Sequence, residues 1–316
     1  MPPRLIALDL DGTLLNSSGQ VSSRNRAALE LAQNSGAEIV ISTGRRHSFA
    51  MQALRDLGLK PSSAVISSNG AVIRTLGSDL IHRSHLRLST ALWLCAYLDD
   101  YRGSLVLTFD LAGPDGNDSR GALIVQNIDQ IHSSIGRWMR ANRQYILQAN
   151  PIEDALQPGK DLPIQMMLCG PIDRMLRAEE RLVQHPRIIP VGEQELPPDA
   201  SQADRSQVEA ALHRTTYPET DLTLLDILPA GCSKASALRH LAVLRGIGYA
   251  EILAIGDNWN DLAMLRLAGE PALMSNAPDD LRSMAIASGW TILPSNDQDG
   301  VATAIEAAFA GAPAWK

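Results

Sequence analysis

Four short apolar runs recur along this chain, and each one gives way to polar residues. The runs cover residues 5–10, 38–41, 64–66 and 252–255, and hydroxyl, amide, carboxylate or glycine residues cluster where they end. Apolar runs without polar alternation are typical of strands that are buried on both faces of a parallel sheet. The pattern therefore predicts an α/β protein with a parallel sheet.

A helix is expected between the first two runs. Residues 24–35 have helical spacing of apolar side chains, Ser22 or Ser23 can cap the first turn, and Gly36 can end the last one. The resulting strand–helix–strand alternation favours an open sheet whose ligands bind beyond the carboxyl ends of the strands. The polar clusters are distant in sequence, but we expect them to meet at that edge.

The middle of the chain has a different sequence pattern, in which amphipathic helices alternate with short strand candidates. We therefore expect an inserted α/β domain over residues 83–218, with the core formed by residues 1–82 and 219–316. The helix patterns lie at residues 89–99, 131–141 and 173–184, and loop-like stretches lie at 113–119 and 192–204.

Composition excludes several classes of partner. The chain of 316 residues has 28 Lys and Arg against 35 Asp and Glu, a net charge of −7, and no basic run, which argues against nucleic acid. Its three cysteines lie far apart, so neither a disulfide framework nor a zinc site is expected. Few and unpaired cysteines favour a reducing compartment, and we therefore expect a cytoplasmic location. No segment resembles a signal peptide or a membrane helix, so no membrane partner is expected.

The strongest chemical signal is Asp9-Leu10-Asp11-Gly12-Thr13, at the end of the first run. Two unpaired carboxylates beside a buried strand are costly, so their presence indicates a bound cation. The alternative is an Asp-Gly turn that closes a hairpin. That turn needs a partner strand next in sequence, whereas a helix pattern follows. We therefore interpret Asp9 and Asp11 as functional.

Asp257 follows the last apolar run in the same way. A hard divalent cation with oxygen ligands, most simply Mg²⁺, is the expected resident between Asp257 and the first acidic pair. Asp261 opens the next helix pattern, and two interpretations of it stay open. It can be an acid favoured by the helix N-terminus, or it can support the metal site.

Three further segments offer phosphate ligands. Lys234 is expected near a helix N-terminus, where a cation is unfavourable unless an anion lies nearby. Thr43-Gly44-Arg45 ends the second run with a hydroxyl, a flexible backbone N–H and a guanidinium, which all bind phosphoryl oxygens. Ser68-Asn69-Gly70 is weaker, and could be only a turn. Taken alone, Lys234 could be an exposed lysine, and each of the other two segments could be an ordinary turn.

In this order the residues resemble the motifs of the haloacid dehalogenase superfamily of phosphotransferases, in particular its Cof-type, sugar-phosphatase-like branch. The resemblance implies a Rossmann-like core with a large α/β cap inserted after the third core strand. The four family motifs correspond to residues 9–13, to Thr43 within 42–45, to Lys234, and to 256–261; further Cof-like signatures are 68–71, 276–277 and 296–301.

The resemblance also implies roles. Asp9 is the expected nucleophile, and Asp11 the general acid that protonates the leaving group and then activates water. Asp at position 11 is typical of the phosphatases, because the ATP-driven pumps of this superfamily place Thr there. The expected Mg²⁺ ligands are Asp9, Asp257 and the backbone carbonyl of Asp11; the expected phosphate ligands are Thr43, Gly44 and Lys234; and the expected supporting residues are Gly12, Arg45, Asn69, Asn260 and Asp261.

These expectations describe a Mg²⁺-dependent phosphatase, monomeric or dimeric, that acts on a small phosphorylated metabolite such as a sugar phosphate. One alternative is a phosphomutase of the same superfamily, which returns the phosphoryl group to its sugar. Another is a receiver-type signalling module, in which three acids precede the Thr and the Lys. Here Asp257 comes last, which disfavours the receiver. The stretch 192–216 looks longer than in typical relatives, so substrate contacts in the cap cannot be transferred.

Overall fold

The computed structural model describes residues 2–130, 140, 142–190, 207–217 and 220–310. They form two compact units. The core unit comprises Met1–His82, Pro114–Gly116 and Ser233–Lys316, and the inserted unit comprises Arg83–Gly113 and Asn117–Cys232. The predicted loop 192–204 lies outside the described residues, as does all but residue 140 of the predicted helix 131–141.

The elements alternate along the chain as the sequence predicts. In chain order the described strands are β1 (Leu5–Leu8), β2 (Glu38–Ser42), β3 (Ala64–Ser67), β4 (Val72–Thr75), β5 (Leu80–Arg83), β6 (Leu105–Thr108), β7 (Leu123–Val125), β8 (Ile146–Gln148), β9 (Gln165–Gly170), β10 (Ile188–Pro190), β11 (Ala210–Tyr217), β12 (Leu222–Pro229), β13 (Ile252–Gly256), β14 (Glu270–Met274) and β15 (Thr291–Leu293). The described α-helices are α1 (Ser23–Asn34), α2 (His47–Leu54), α3 (Leu88–Tyr97), α4 (Ile172–Val183), α5 (Lys234–Arg245), α6 (Leu262–Leu267), α7 (Asp279–Ala287) and α8 (Gly300–Phe309).

The core unit is built on a sheet of strand order β15-β14-β13-β1-β2-β3-β4-β5. Neighbours from β15 to β3 run parallel, and β4 runs antiparallel to β3. The four predicted runs are β1, β2, β3 and β13, so the predicted parallel α/β fold is confirmed. β1 ends at Leu8 rather than at residue 10, so Asp9 already lies beyond the strand.

Helices cover both faces of this sheet, which explains why its strands lack polar alternation. Ile6 and Leu8 of β1 pack in one apolar cluster with α1, α2 and α8. Leu5 and Ala7 pack in a second cluster with α5, α6 and α7. The predicted helix 24–35 is α1, and its N-cap is Ser22, whose hydroxyl accepts the Asn25 N–H at 3.0 Å.

The inserted unit has its own sheet, of strand order β10-β11-β12-β9-β6-β7-β8. The central strands β11, β12, β9, β6 and β7 pair antiparallel, and parallel pairs lie at the two ends. The predicted helices 89–99 and 173–184 are α3 and α4. Their residues Leu94, Met175 and Leu182 are buried in one cluster with β6 and β9.

The C-terminal bound of the inserted unit differs from the sequence prediction. The unit continues to Cys232 rather than to residue 218. The apolar run that follows residue 218 was expected to belong to the core, but it forms β12, which pairs with β11 and β9. An apolar run does not by itself reveal which of two sheets receives the strand, because the pairing depends on strands that lie elsewhere in the sequence.

Cys95, Cys169 and Cys232 are free and buried, so none of the three cysteines forms a disulfide. Burial raises the pKa of each thiol to about 12. In the described part of the chain, no helix combines the length and the apolar character needed to cross a membrane.

Candidate active site

Asp9 and Asp257 lie side by side because they follow neighbouring parallel strands. Leu8 of β1 is in register with Ile255 of β13, and the Asp9 N–H donates to the Ile255 carbonyl at 2.9 Å. The two carboxylates are 5% and 7% exposed. The predicted convergence of polar clusters at the carboxyl edge of the sheet is thus observed for this pair.

Lys234 is completely buried and lies between two of the acids. Its Nζ donates to Asp9 Oδ1 at 2.5 Å and to Asp261 Oδ1 at 2.6 Å. Ser233 caps α5 through a reciprocal pair of hydrogen bonds with Ser236, so the lysine stands at the first position of the helix. The anion expected beside this helix N-terminus is therefore supplied, in this structure, by carboxylates of the protein.

Asp261 connects Lys234 to the loop that carries Asp257. Its second oxygen, Oδ2, accepts the N–H groups of Asp257 and Asn258, each at 3.1 Å. A Cβ on Gly256 would lie 2.6 Å from Asp261 Cβ, so the close approach requires glycine at position 256. Of the two interpretations left open for Asp261, support of the acidic site is the one the contacts favour.

The three acids form a cluster with an excess of negative charge. One ligand oxygen from each of Asp9, Asp257 and Asp261 lies within 4.8 Å of the others, and the ammonium of Lys234 offsets only part of their charge. Burial, followed by the charge of Asp261, raises the pKa of Asp257 to about 7. The same two causes raise the pKa of Asp9 well above its usual value. A bound divalent cation would relieve this repulsion.

Lys234 stays protonated in this surrounding. Burial alone would lower its pKa, but the charges of Asp261 and Asp9, together with their hydrogen bonds, outweigh burial and raise it. The ammonium is therefore a permanent positive charge in a site where Asp9 and Asp257 hold protons more tightly than usual.

In the metal-free protein, the contribution of Asp257 to the free energy of unfolding is expected to fall as the pH rises from about 4 to about 7. An unfolded Asp257 has the ordinary pKa of 3.8, whereas the folded one holds its proton to about pH 7, so the folded state binds more protons over this range. Each rise in pH then favours the unfolded state. Melting temperatures recorded in EDTA should show a smaller fall in Asp257→Asn than in the wild type, with exposed Asp56→Asn as the control. Identical pH profiles for wild type and Asp257→Asn would contradict the raised pKa.

Gly12 and Thr13 hold Asp257 from the other side. Gly12 has φ of +80°, and a Cβ there would overlap the Asp257 carboxylate. Thr13 Oγ1 donates to Asp257 Oδ1 at 2.8 Å, and Asn276 Nδ2 donates to the Gly12 carbonyl at 2.8 Å. Sequence reasoning missed the roles of Thr13 and Asn276. Their only signal was membership of short motifs, because both contacts join segments far apart in the chain.

Asp11 is held by Arg45 rather than by the buried cluster. Arg45 Nε donates to Asp11 Oδ2 at 2.7 Å and Nη2 to Oδ1 at 2.5 Å, and its guanidinium lies 4.8 Å from the centre of the Phe49 ring. The Asp11 side chain is 48% exposed. Arg45 was expected among the supporting residues, with a guanidinium able to bind phosphoryl oxygens, and here the guanidinium orients a carboxylate.

The turn Thr43-Gly44-Arg45, which the sequence predicts to bind phosphate and which is called the phosphate-binding turn below, lies against the turn Ser68–Gly70. Thr43 is buried, and its Oγ1 accepts the Arg45 N–H at 3.1 Å. The structure therefore brings the predicted site residues together in three contact groups. The groups are Asp9 with Lys234, Asp257 and Asp261; Asp11 with Arg45; and the phosphate-binding turn with Asn69, which in turn contacts Asn260.

The chain belongs to the haloacid dehalogenase-like hydrolases, since the model of that family matches residues 6–150 and 195–305. It is thus an enzyme of the class predicted from the motifs, which excludes the receiver-type alternative. A protein of Bacillus subtilis named phosphatase YwpJ is 31% identical over 95% of this chain and 97% of its own length. A second one, named 5-amino-6-(5-phospho-D-ribitylamino)uracil phosphatase YwtE, is 28% identical over 98% and 99%.

A solved structure supports the same assignment. The chain resembles a haloacid dehalogenase-like hydrolase of B. subtilis with a TM-score of 0.72 and 26% identity, over 96% of this chain and 99% of that one. The predicted family and its Rossmann-like fold are therefore confirmed, and the protein is a phosphatase-type hydrolase.

Proposed function

We propose that this protein is a cytoplasmic, Mg²⁺-dependent phosphatase that hydrolyses a small phosphorylated metabolite, of the sugar-phosphate type, through an aspartyl-phosphate intermediate. The observation that carries the proposal is the pair formed by Asp9 and Lys234, buried at the carboxyl end of β1. A carboxylate at such a position is a nucleophile held in place, and the lysine beside it can balance the charge of a phosphoryl group. The three free cysteines support a reducing compartment.

The residues present fit a magnesium ion. Asp9, Asp257 and Asp261 offer only hard oxygen donors, and their negative charge exceeds that of the single ammonium. Asp261 already bonds Lys234 and two backbone N–H groups, so we assign the carboxylate ligand positions to Asp9 and Asp257. The Asp11 carbonyl is the further ligand that the resemblance to the family motifs implies. When bound, Mg²⁺ polarises the phosphoryl oxygens and offsets the charge that they bring.

The proposed reaction has two displacements at phosphorus. In the first, the Asp9 carboxylate forms a bond to phosphorus, the ester bond breaks, and the leaving oxygen takes a proton from Asp11. In the second, Asp11 removes a proton from water, the water oxygen attacks phosphorus, and the bond to Asp9 breaks to release inorganic phosphate. Thr43, Gly44 and Lys234 donate hydrogen bonds to the transferring oxygens.

The position of Asp11 supports its role as the proton shuttle. It is half exposed, whereas Asp9 is buried, so a leaving group and a water molecule can reach its carboxylate. The bidentate contact with Arg45 holds the carboxylate in one orientation. The substrate class has indirect support, because one of the relatives is named for a phosphorylated ribityl compound.

Phosphate release from a panel of phosphorylated metabolites is expected to require Mg²⁺. Removal of the metal with EDTA should lower the rate by about 10²-fold or more, since metal-ion charge stabilisation is typically several kcal/mol. Ca²⁺ should restore little of the activity, because it prefers more ligands at longer distances than Mg²⁺ does.

The controls separate the proposal from its alternatives. Re-addition of Mg²⁺ must restore the rate lost in EDTA. Full phosphate release by the metal-free enzyme would contradict the metal assignment. A phosphosugar isomer in place of inorganic phosphate as the product would assign the protein as a phosphomutase instead.

A further inference from the structure

The turn Ser68–Gly70 has an uncommon backbone. Its three residues have φ of 48°, 51° and 102°, all in the left-handed region that favours glycine. Non-glycine residues keep such angles only where their surroundings hold them there, and they cluster at functional sites. The Ser68 hydroxyl is buried and, among the residues that the structure describes, has no hydrogen-bond partner. The Ser68 hydroxyl therefore does not stabilise the turn, and the contacts that do come from the backbone of the turn and from Asn69.

One neighbour of the turn is the phosphate-binding turn. The Asn69 N–H donates to the Thr43 carbonyl at 3.1 Å, and the Ser68 N–H donates to the Arg45 carbonyl at 2.8 Å. The carbonyls on both sides of Gly44 are thus held. A Cβ on Gly44 would lie 3.2 Å from Asn69 Oδ1 and 3.3 Å from Nδ2, so the Asn69 amide packs directly against the Gly44 backbone.

The same amide also reaches the acidic loop, defined as residues 257–261. Asn69 Oδ1 accepts a hydrogen bond from Asn260 Nδ2 at 3.2 Å. The next residue of the turn, Gly70, approaches the start of α5 so closely that a Cβ there would overlap the Ser233 carbonyl. The turn therefore touches the segments that carry Gly44, Lys234 and Asp261.

We propose that Asn69 is a positioning residue, whose side-chain amide sets the distance between the Gly44 backbone and the acidic loop. The proposal rests on the proposed phosphatase function. The amide is a spacer between the turn that donates to the transferring oxygens and the loop whose Asp261 binds Lys234, the hydrogen-bond partner of the nucleophile Asp9. A fixed spacing of this kind favours the five-coordinate phosphorus of the transition state over the tetrahedral phosphorus of substrate and product.

The test is Asn69→Gly, which retains a backbone able to adopt positive φ and removes the whole side chain, including the amide. The rate constant kcat is expected to fall by about tenfold or more with a much smaller change in KM, because displacement of catalytic groups by about 1 Å can cost that much. Inhibition by orthovanadate, a five-coordinate mimic, should weaken by a similar factor. Inhibition by inorganic phosphate should change far less.

Asn260→Ala tests the other end of the spacer. Asn260→Ala should reproduce part of the fall in kcat. The double variant Asn69→Gly/Asn260→Ala should have a kcat no lower than that of Asn69→Gly alone, because both changes break the same hydrogen bond. Ser78→Gly is the matched control. Ser78 also has positive φ, of 74°, in the core unit but away from the site, and its replacement should leave kcat within about twofold.

The outcomes are distinct. Unchanged kcat and vanadate inhibition in Asn69→Gly would overturn the positioning role and leave the phosphatase proposal intact, as would equal losses for vanadate and phosphate. No Mg²⁺-dependent phosphate release by the wild type would overturn the function itself. If Asn69→Gly does not fold, Asn260→Ala decides: a selective loss of vanadate inhibition supports the role, and no change overturns it.

Discussion

Asp9→Asn is expected to lose phosphate release by about 10⁴-fold or more while the protein stays folded, because an amide cannot attack phosphorus. The substitution should not lower the melting temperature at neutral pH. Burial and the charge of Asp261 raise the pKa of Asp9 well above its usual value, so the ionised carboxylate is costly in the metal-free state. An uncharged amide of the same shape removes that cost.

Asp11→Asn separates the nucleophile from the proton shuttle, since it keeps the backbone carbonyl and removes the acid. With p-nitrophenyl phosphate, whose leaving group needs little protonation, this variant should still transfer phosphate to Asp9 and then stall. Mass spectrometry of the quenched protein should locate the phosphoryl group on the peptide that contains Asp9. Exposed Asp100→Asn is the control for both variants. Near wild-type turnover by Asp9→Asn would show that the nucleophile is another residue.

Lys234→Met is expected to have the largest effect on stability. Methionine has nearly the length of lysine but no charge, so Asp9 and Asp261 lose the ammonium at 2.5 and 2.6 Å. Removal of one partner from a buried ion pair typically costs about 3–5 kcal/mol, because the other charge stays buried. We expect a loss of that order at pH 8, measured by urea denaturation in EDTA, together with loss of phosphate release.

The pH dependence of that loss provides a check. At pH 5 Asp9 and Asp257 can accept protons, since the folded pKa of each lies above its unfolded value, and the penalty should be smaller than at pH 8. Mg²⁺ should restore part of the stability by supplying positive charge. Lys160→Met, at an exposed position, should change neither the free energy of unfolding nor the rate of phosphate release. Equal stability of Lys234→Met and wild type at pH 8 would mean that the ammonium does not balance the acids.

The core could be predicted from sequence because its signals are local. Continuous apolar runs identify parallel strands, and polar residues at their ends identify the edge where a ligand binds. The sequence therefore predicted correctly that Asp9 and Asp257 lie close together at one edge of the sheet. The bonds that complete the site, from Thr13 to Asp257 and from Asn276 to Gly12, were not predictable, since they join segments that are adjacent only in the folded sheet.

Two other features depended on tertiary structure. The sequence indicated an anion beside Lys234, but the partners observed are Asp9 and Asp261, because α5 begins where two acidic segments already converge. The C-terminal bound of the inserted unit was also missed. β12 has the same apolar character as a core strand, and only its antiparallel pairing with β11 assigns it to the other sheet.

The pairing of β1 with β13 has a consequence for synthesis on the ribosome. β1 is translated long before β13, so one edge of β1 stays open until Ile252–Gly256 has been translated. The strands that the structure describes in the inserted unit lie between these two in sequence and pair with one another, so that unit can fold while the core is still incomplete. An unpaired apolar strand edge is a template for aggregation. We therefore expect a chain that stops before residue 252 to need chaperones, and to aggregate through its first strands rather than to behave as a weakened enzyme.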